Sequence, residues 1–240
     1  MNAERKILLV HGAWHGSWCF QPLTDLLTQR GWHVETIDLP TVHSENAAEL
    51  TVLDDAKAVA EAIDRMGEDT VVVGHSYGGA PVTEGAMSSN VRHIVYISAF
   101  VPSEGESLLQ LAGGTPPDWW QIDGSMVSVP ADAALTRQLF YGDVDENVAN
   151  DCIAQLRSQP LAAYSTPLTQ AAWRTHPTTY IVSDQDGSFP AVAQDGLAAK
   201  IGAHVVHMDA SHSPFLSRTE EVADAIEAAA AHAPAGSAAK

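Results

Sequence analysis

The chain has 240 residues, 45% of them hydrophobic, which is enough for one sizeable core without a second domain. Its 12 basic and 30 acidic residues leave a net charge of −18, and no basic run occurs, which speaks against nucleic acid and anionic membrane surfaces as partners. No apolar stretch reaches transmembrane length, the polar Met1–Lys6 leads directly into a strand, and the two cysteines, Cys19 and Cys152, read as free thiols, so the expected compartment is the cytoplasm.

Lys6–Val10 is a continuous apolar run, as expected of a central parallel strand. It enters His11-Gly12-Ala13-Trp14-His15-Gly16-Ser17-Trp18, and open α/β sheets place ligands in such loops at the carboxyl ends of strands. A helix is predicted from about Ser17 to Gln29, with Phe20, Leu23, Leu26 and Leu27 on one face and Gly31 ending it. His33–Ile37 reads as the next strand, broken by Asp38-Leu39-Pro40, and the polar Thr41–Leu50 reads as loop. Thr51–Met66 is amphipathic, with Leu53, Ala56, Val59, Ala60 and Ile63 at helical spacing, and Thr51 with Asp54 matches a capping box.

Val71-Val72-Val73 then runs into Gly74-His75-Ser76-Tyr77-Gly78-Gly79, followed by a helix-compatible run, Ala80–Met87. The pattern G-x-S-x-G between a strand and a helix marks a nucleophile elbow, in which the serine hydroxyl is lifted above the sheet. Glycines flank it because a β-carbon would crowd so tight a turn.

Val91–Ser98 is another strand, and then the pattern changes. From Ser103 to Trp173 there is no obvious strand, only short helical pieces between prolines, with Trp119, Trp120, Phe140, Tyr141, Tyr164 and Trp173 among them. This stretch reads as a helical cap whose aromatics cover an apolar pocket, about half of them facing it and the rest packing the cap onto the core. Thr178–Val182 resumes the alternation, followed by Asp184-Gln185-Asp186, a helix from about Phe189-Pro190, the strand Ala203–Met208, and a final helix over Thr219–His232 with Thr219 as its cap. The organisation expected is a mostly parallel sheet of about six strands with helices on both faces (1–102 and 174–233), an inserted cap (103–173) and a disordered tail (234–240).

Ser76 needs a base within reach and a carboxylate to orient that base. The chain has 11 histidines, and His212, in the loop after the last strand, fits the position of that base better than any other in the second half of the chain, where His204 and His207 lie on the strand itself. Either Asp184 or Asp186 can be the acid, and the order Ser–Asp–His suits this architecture. The oxyanion would be met by the backbone N–H of Tyr77 and by one from the first loop, where Ala13 is best placed. Gly12, His15, Trp119, Trp120 and Phe140 are the candidate substrate-binding residues, although His15, Trp14 and Trp18 could equally be packing residues. No His/Asp/Glu grouping shows metal-ligand spacing, so neither metal nor other cofactor is expected.

These motifs resemble the α/β-hydrolases, and within them the group of plant methylesterases and hydroxynitrile lyases. Val10–Trp18 is similar to that group's first loop, Gly74–Gly79 to its elbow, Val182–Pro190 to its acid loop and Ser211-His212 to its histidine loop. The resemblance implies Ser76 as nucleophile, Asp186 as acid, His212 as base, and Ala13 and Tyr77 as oxyanion donors. Two departures bear on activity: the lyases carry threonine at the position of Gly12 and lysine at that of Ser213. The expected function is therefore cofactor-free hydrolysis of small to medium apolar or aromatic carboxylic esters through an acyl-enzyme. A carbon–carbon or cyanohydrin lyase on the same residues and a small-molecule receptor are the alternatives. Gly12→Thr with Ser213→Lys is expected to move activity toward cyanohydrin cleavage. The partner is a small ester, and a homodimer is compatible with the sequence.

Overall fold

The computed structural model describes residues 5–232, so the predicted tail lies outside the described residues. Its strands are β1 (Lys6–Val10), β2 (His33–Ile37), β3 (Thr70–His75), β4 (Val91–Ile97), β5 (Gln121–Asp123), β6 (Met126–Ser128), β7 (Gln159–Pro160), β8 (Thr178–Ser183) and β9 (His204–Met208). Its α-helices are α1 (Gln21–Gln29), α2 (Pro40–His43), α3 (Val52–Met66), α4 (Gly79–Gly85), α5 (Leu108–Leu111), α6 (Ala133–Phe140), α7 (Glu146–Ile153), α8 (Leu161–Ser165), α9 (Ala191–Ile201), α10 (Pro214–Ser217) and α11 (Thr219–His232).

Six strands form one parallel sheet in the order β2-β1-β3-β4-β8-β9. Alternate residues of its central strands bury in two separate cores, because successive side chains of a strand point to opposite faces. Leu8, Val10, Val72, Ile94, Tyr96 and Val182 join Val59 and Ile63 of α3 and Ile201 of α9 on one face. Ile7, Leu9, Val71, Val73, Val95 and Ile181 join Leu23 and Leu27 of α1 and Val222 and Ile226 of α11 on the other. Covered on both faces, these strands can be continuously apolar.

β1 lies between β2 and β3, so the chain leaves it toward one edge and returns on the other side. That reversal opens a crevice at the carboxyl ends of β1 and β3, where the loop of Gly12–Gly16 and the turn at Ser76 face each other.

Several local readings change. Ser17–Phe20 is a 3₁₀ turn before α1. The supposed loop after β2 contains α2, begun by Pro40 at its first turn, and a 3₁₀ turn at Ala47–Glu49. α3 keeps the predicted capping box, with Leu53 N donating to Thr51 Oγ1 and Thr51 N to Asp54 Oδ2. α4 stops at Gly85, where a β-carbon would stand 2.3 Å from the Ala56 carbonyl of α3. Thr219 does not cap α11 from outside; it opens the helix and its hydroxyl donates to Phe215 O. The insert between β4 and β8 is not purely helical. It carries a small antiparallel sheet, β5-β6-β7, turned at Gly124 with φ +59°. Strands of two or three residues are too short to leave a period in the sequence.

Candidate active site

β3 ends at His75 and the chain turns through a 3₁₀ turn, Ser76–Gly78, into α4. Ser76 has φ +53°, a left-handed conformation that a non-glycine residue holds only where the surroundings enforce it. The surroundings are backbone. A β-carbon at Gly78 would lie 2.5 Å from His11 O, and one at Gly79 would lie 2.4 Å from Phe100 O. Phe100 N also donates to Ser76 O at 3.1 Å, tying the turn to the end of β4. The glycines are thus the condition for close contact with the neighbouring strand ends.

His212 sits in the buried Ser211–Ser213 loop after β9, and its Nδ1 donates to Asp186 Oδ2 over 2.6 Å. Both side chains are almost wholly enclosed, at 3% and 0% exposure. Because the carboxylate accepts, Nδ1 carries the proton and Nε2 is left as a basic lone pair. Asp186 is held in turn by Ser188 N, Ser188 Oγ and Phe189 N on Oδ1 and by Gln194 Nε2 on Oδ2. Asp184, the other candidate acid, faces away: it is exposed and accepts from His207 Nδ1 at 2.8 Å, which raises the His207 pKa.

Ser76, His212, Ala13 and Tyr77 all line one cavity of about 230 Å³. Trp14, Trp119, Trp120, Phe140 and Tyr164 make an aromatic wall, with Trp14 5.8–5.9 Å from each of the other four rings. Phe100 and Phe189, stacked at 4.3 Å, line the cavity as well. Trp14 has φ +64°, and its indole N–H donates to Val127 O of β6, so the first loop is fastened to the insert. Of the six aromatics singled out in the insert, Tyr141 and Trp173 are not on the wall. The Tyr141 hydroxyl meets His15, and the Trp173 indole donates to Pro102 O.

Two predicted substrate contacts, Gly12 and His15, do not line the cavity. A β-carbon at Gly12 would meet His75 Nδ1 at 2.9 Å and Ser76 Cβ at 3.0 Å, so this glycine makes room for the elbow. His15 Nδ1 donates to Ala13 O at 2.7 Å and its Nε2 accepts from the Tyr141 hydroxyl at 2.6 Å. Burial pushes its pKa down to about 3, and the neutral ring braces the turn that presents Ala13. Trp18 stacks on His15 rather than lining the cavity. Sequence reading missed Phe100, Leu108, Leu111 and Phe189 as wall residues. For Phe189 a signal existed in its place three residues after Asp186; for the others there was none.

Among the described residues one grouping with metal-ligand atoms does arise, at His11, Asp38 and His43. His11 has no free lone pair, because Nδ1 donates to Gly12 O while Nε2 accepts from Leu39 N. Its pKa is pushed down to about 4 by burial, and His43 Nε2 is committed to His15 O. The residues fit a hydrogen-bonded brace for the first loop and do not fit a metal.

The sheet order, the turn at Ser76 and the cap together define the class. The chain matches the model of the alpha/beta hydrolase family over residues 7–225, and it belongs to that family. Among curated proteins it is 30% identical to the carbendazim hydrolyzing esterase of Nocardioides sp. over 252 residues, covering 93% of this chain and 98% of the other. It is 34% identical to Methylesterase 9 of Arabidopsis thaliana over 106 residues, covering 41% of each. Among solved structures it superposes on a pyrethroid hydrolase from Sphingobium faniae with a TM-score of 0.83, at 23% identity and with 97% and 99% of the two chains covered. No described helix is long and apolar enough to cross a membrane.

Proposed function

We propose that this protein is a cofactor-free serine esterase acting on small to medium apolar or aromatic carboxylic esters. The observation that carries the proposal is the 2.6 Å bond from His212 Nδ1 to Asp186, with His212 and Ser76 on the wall of one aromatic cavity. The family membership and the esterase names of its relatives support the same reading.

The mechanism follows from the proton placement. With Nδ1–H given to Asp186, Nε2 of His212 takes the Ser76 proton as Oγ attacks the ester carbonyl. The resulting oxyanion is met by the backbone N–H groups of Tyr77 and Ala13, each worth about 3 kcal/mol of transition-state stabilisation. The C–O bond then breaks, and the alcohol leaves with the proton from His212. Water, deprotonated by the same Nε2, attacks the acyl-enzyme and releases the acid. The two free, buried thiols suit a reducing compartment, and we place the protein in the cytoplasm.

A cyanohydrin lyase is disfavoured by the residues near the base: Ser213 is neutral and buried, and among the described residues no Lys or Arg lines the cavity to meet a departing cyanide. The deciding experiment is steady-state turnover of p-nitrophenyl acetate with a phosphonate label mapped by mass. Turnover with a single label on Ser76 supports the reading. Ligand binding without turnover would favour a receptor.

A further inference from the structure

Among the described residues, no Lys, Arg, Asp or Glu lines the cavity. Apart from Ser76 and His212, most of its polar side chains are committed to partners outside the space they enclose. The Tyr77 hydroxyl donates to Asp55, that of Tyr164 to Gln159, that of Ser188 to Asp186, and the Trp14 indole to Val127 O. Among the described residues, the buried Trp120 indole N–H has no partner, and no hydrogen bond engages that of Trp119. Lys200, which reaches Val101 O next to the lining residue Phe100, is spent on Glu106 at 2.5 Å. The carboxylate of Asp186 stands directly behind His212, and the whole chain carries −18. An anionic group seated on this wall, away from the donors that serve the reacting ester, would lose its water, meet only neutral indole N–H groups and feel a field of its own sign.

Resting on the esterase reading, we propose that this site takes uncharged esters only, so that a symmetric diester is cut once and released as its half-ester. In that cut the acyl C–O bond breaks, water supplies hydroxide to the acyl carbon and a proton to the alcohol, and the new acid ionises into solvent. The product then carries the charge that the wall refuses, and the second ester survives. With no Lys or Arg on the described wall, no ion pair would hold the acid product back. The class of reaction that consumes such a product is one that recognises a carboxylate.

The test compares four methyl esters at pH 8 with the full chain: dimethyl terephthalate, methyl 4-methylbenzoate, methyl 4-carbamoylbenzoate and methyl 4-carboxybenzoate. The first three should be cleaved with kcat/KM within about tenfold of one another, and the carboxylate at least about a hundredfold more slowly. Dimethyl terephthalate should accumulate as its half-ester. Cleavage of the carboxylate within about threefold of the methyl analogue would overturn the proposal. So would equal slowness of the carbamoyl and carboxylate esters, which would assign the discrimination to polarity rather than charge. Failure to cleave any of the four, or p-nitrophenyl acetate, would overturn the esterase reading itself.

Discussion

His75 Nε2 donates to the main-chain carbonyl of His212 over 2.9 Å, joining residues 137 apart in the chain. Their rings lie 4.8 Å from each other, and Phe215 closes on His75 at the same distance. Burial, and then the neighbouring His212, keep the His75 pKa well below the usual histidine value, so a neutral N–H makes this bond. His75, the residue before Ser76, therefore holds the backbone of His212. His75→Phe should keep the fold and lower kcat/KM by about 10–100-fold, since an error of about 1 Å in the base can cost that much. The acid limb of the pH–kcat/KM profile should shift, and His75→Gln, which restores a donor, should recover most of both. An unshifted limb with an equal loss in both variants would reduce His75 to packing.

Ser76→Ala should lower ester turnover by about 10⁴–10⁶-fold with little change in melting temperature, because nucleophile and base act as a unit. Near-native turnover would remove the mechanism.

Asp186→Asn should cripple turnover by about 10³–10⁴-fold, because an amide favours the imidazole tautomer whose Nε2 bears the proton. Asp184→Asn should change turnover by less than about twofold, since its partner is the exposed His207. Parallel kinetics of the two variants decide the assignment, and the reverse order would transfer the role of acid to Asp184.

Asp55 is buried in the core and accepts from Thr41 N, the Thr41 hydroxyl and the Tyr77 hydroxyl. Burial raises its pKa to about 6. An unfolded aspartate titrates near ~3.9, so between about pH 4 and 6 the native state binds the extra proton. Stability from this group is thus present at low pH and falls as pH rises through that window, by an amount on the order of 2–3 kcal/mol. The stability of the native chain relative to Asp55→Asn should accordingly be greater at pH 4.5 than at pH 7.5 in urea titrations. A gap independent of pH would show that Asp55 does not titrate there.

The exchange Gly12→Thr with Ser213→Lys should not create a lyase. A β-carbon at Gly12 collides with the His75 ring, and a lysine at the fully buried Ser213 would bring an unpaired charge into the core. The double variant should lose at least about 3 kcal/mol of stability and all esterase activity without releasing cyanide from mandelonitrile. Rapid release by the native chain would overturn the choice of hydrolase.

Much of this was legible in the chain because the relevant signals are local. Unbroken apolar runs mark strands buried on both faces, Thr51 with Asp54 marks the start of α3, and Gly74–Gly79 marks a turn that only glycines around one serine permit. Composition alone also argues that anionic partners are unwelcome. What the sequence could not decide is where side chains go once distant loops meet. Gly12 and His15 sit in the loop that forms the crevice, yet one gives way to the His75 ring and the other is consumed between Ala13 O and the Tyr141 hydroxyl. Asp184 and Asp186 lie two residues apart in one loop. The resemblance favours Asp186, but their partners come from packing: β9 offers His207 to Asp184, while the loop that follows it offers His212 to Asp186. The short strands of the insert depend on pairing across Gly124 and with Pro160, not on any period of their own. Hydrogen-bond partners and cavity walls are set by long-range packing, and a pattern read along one chain carries no distance between its far parts.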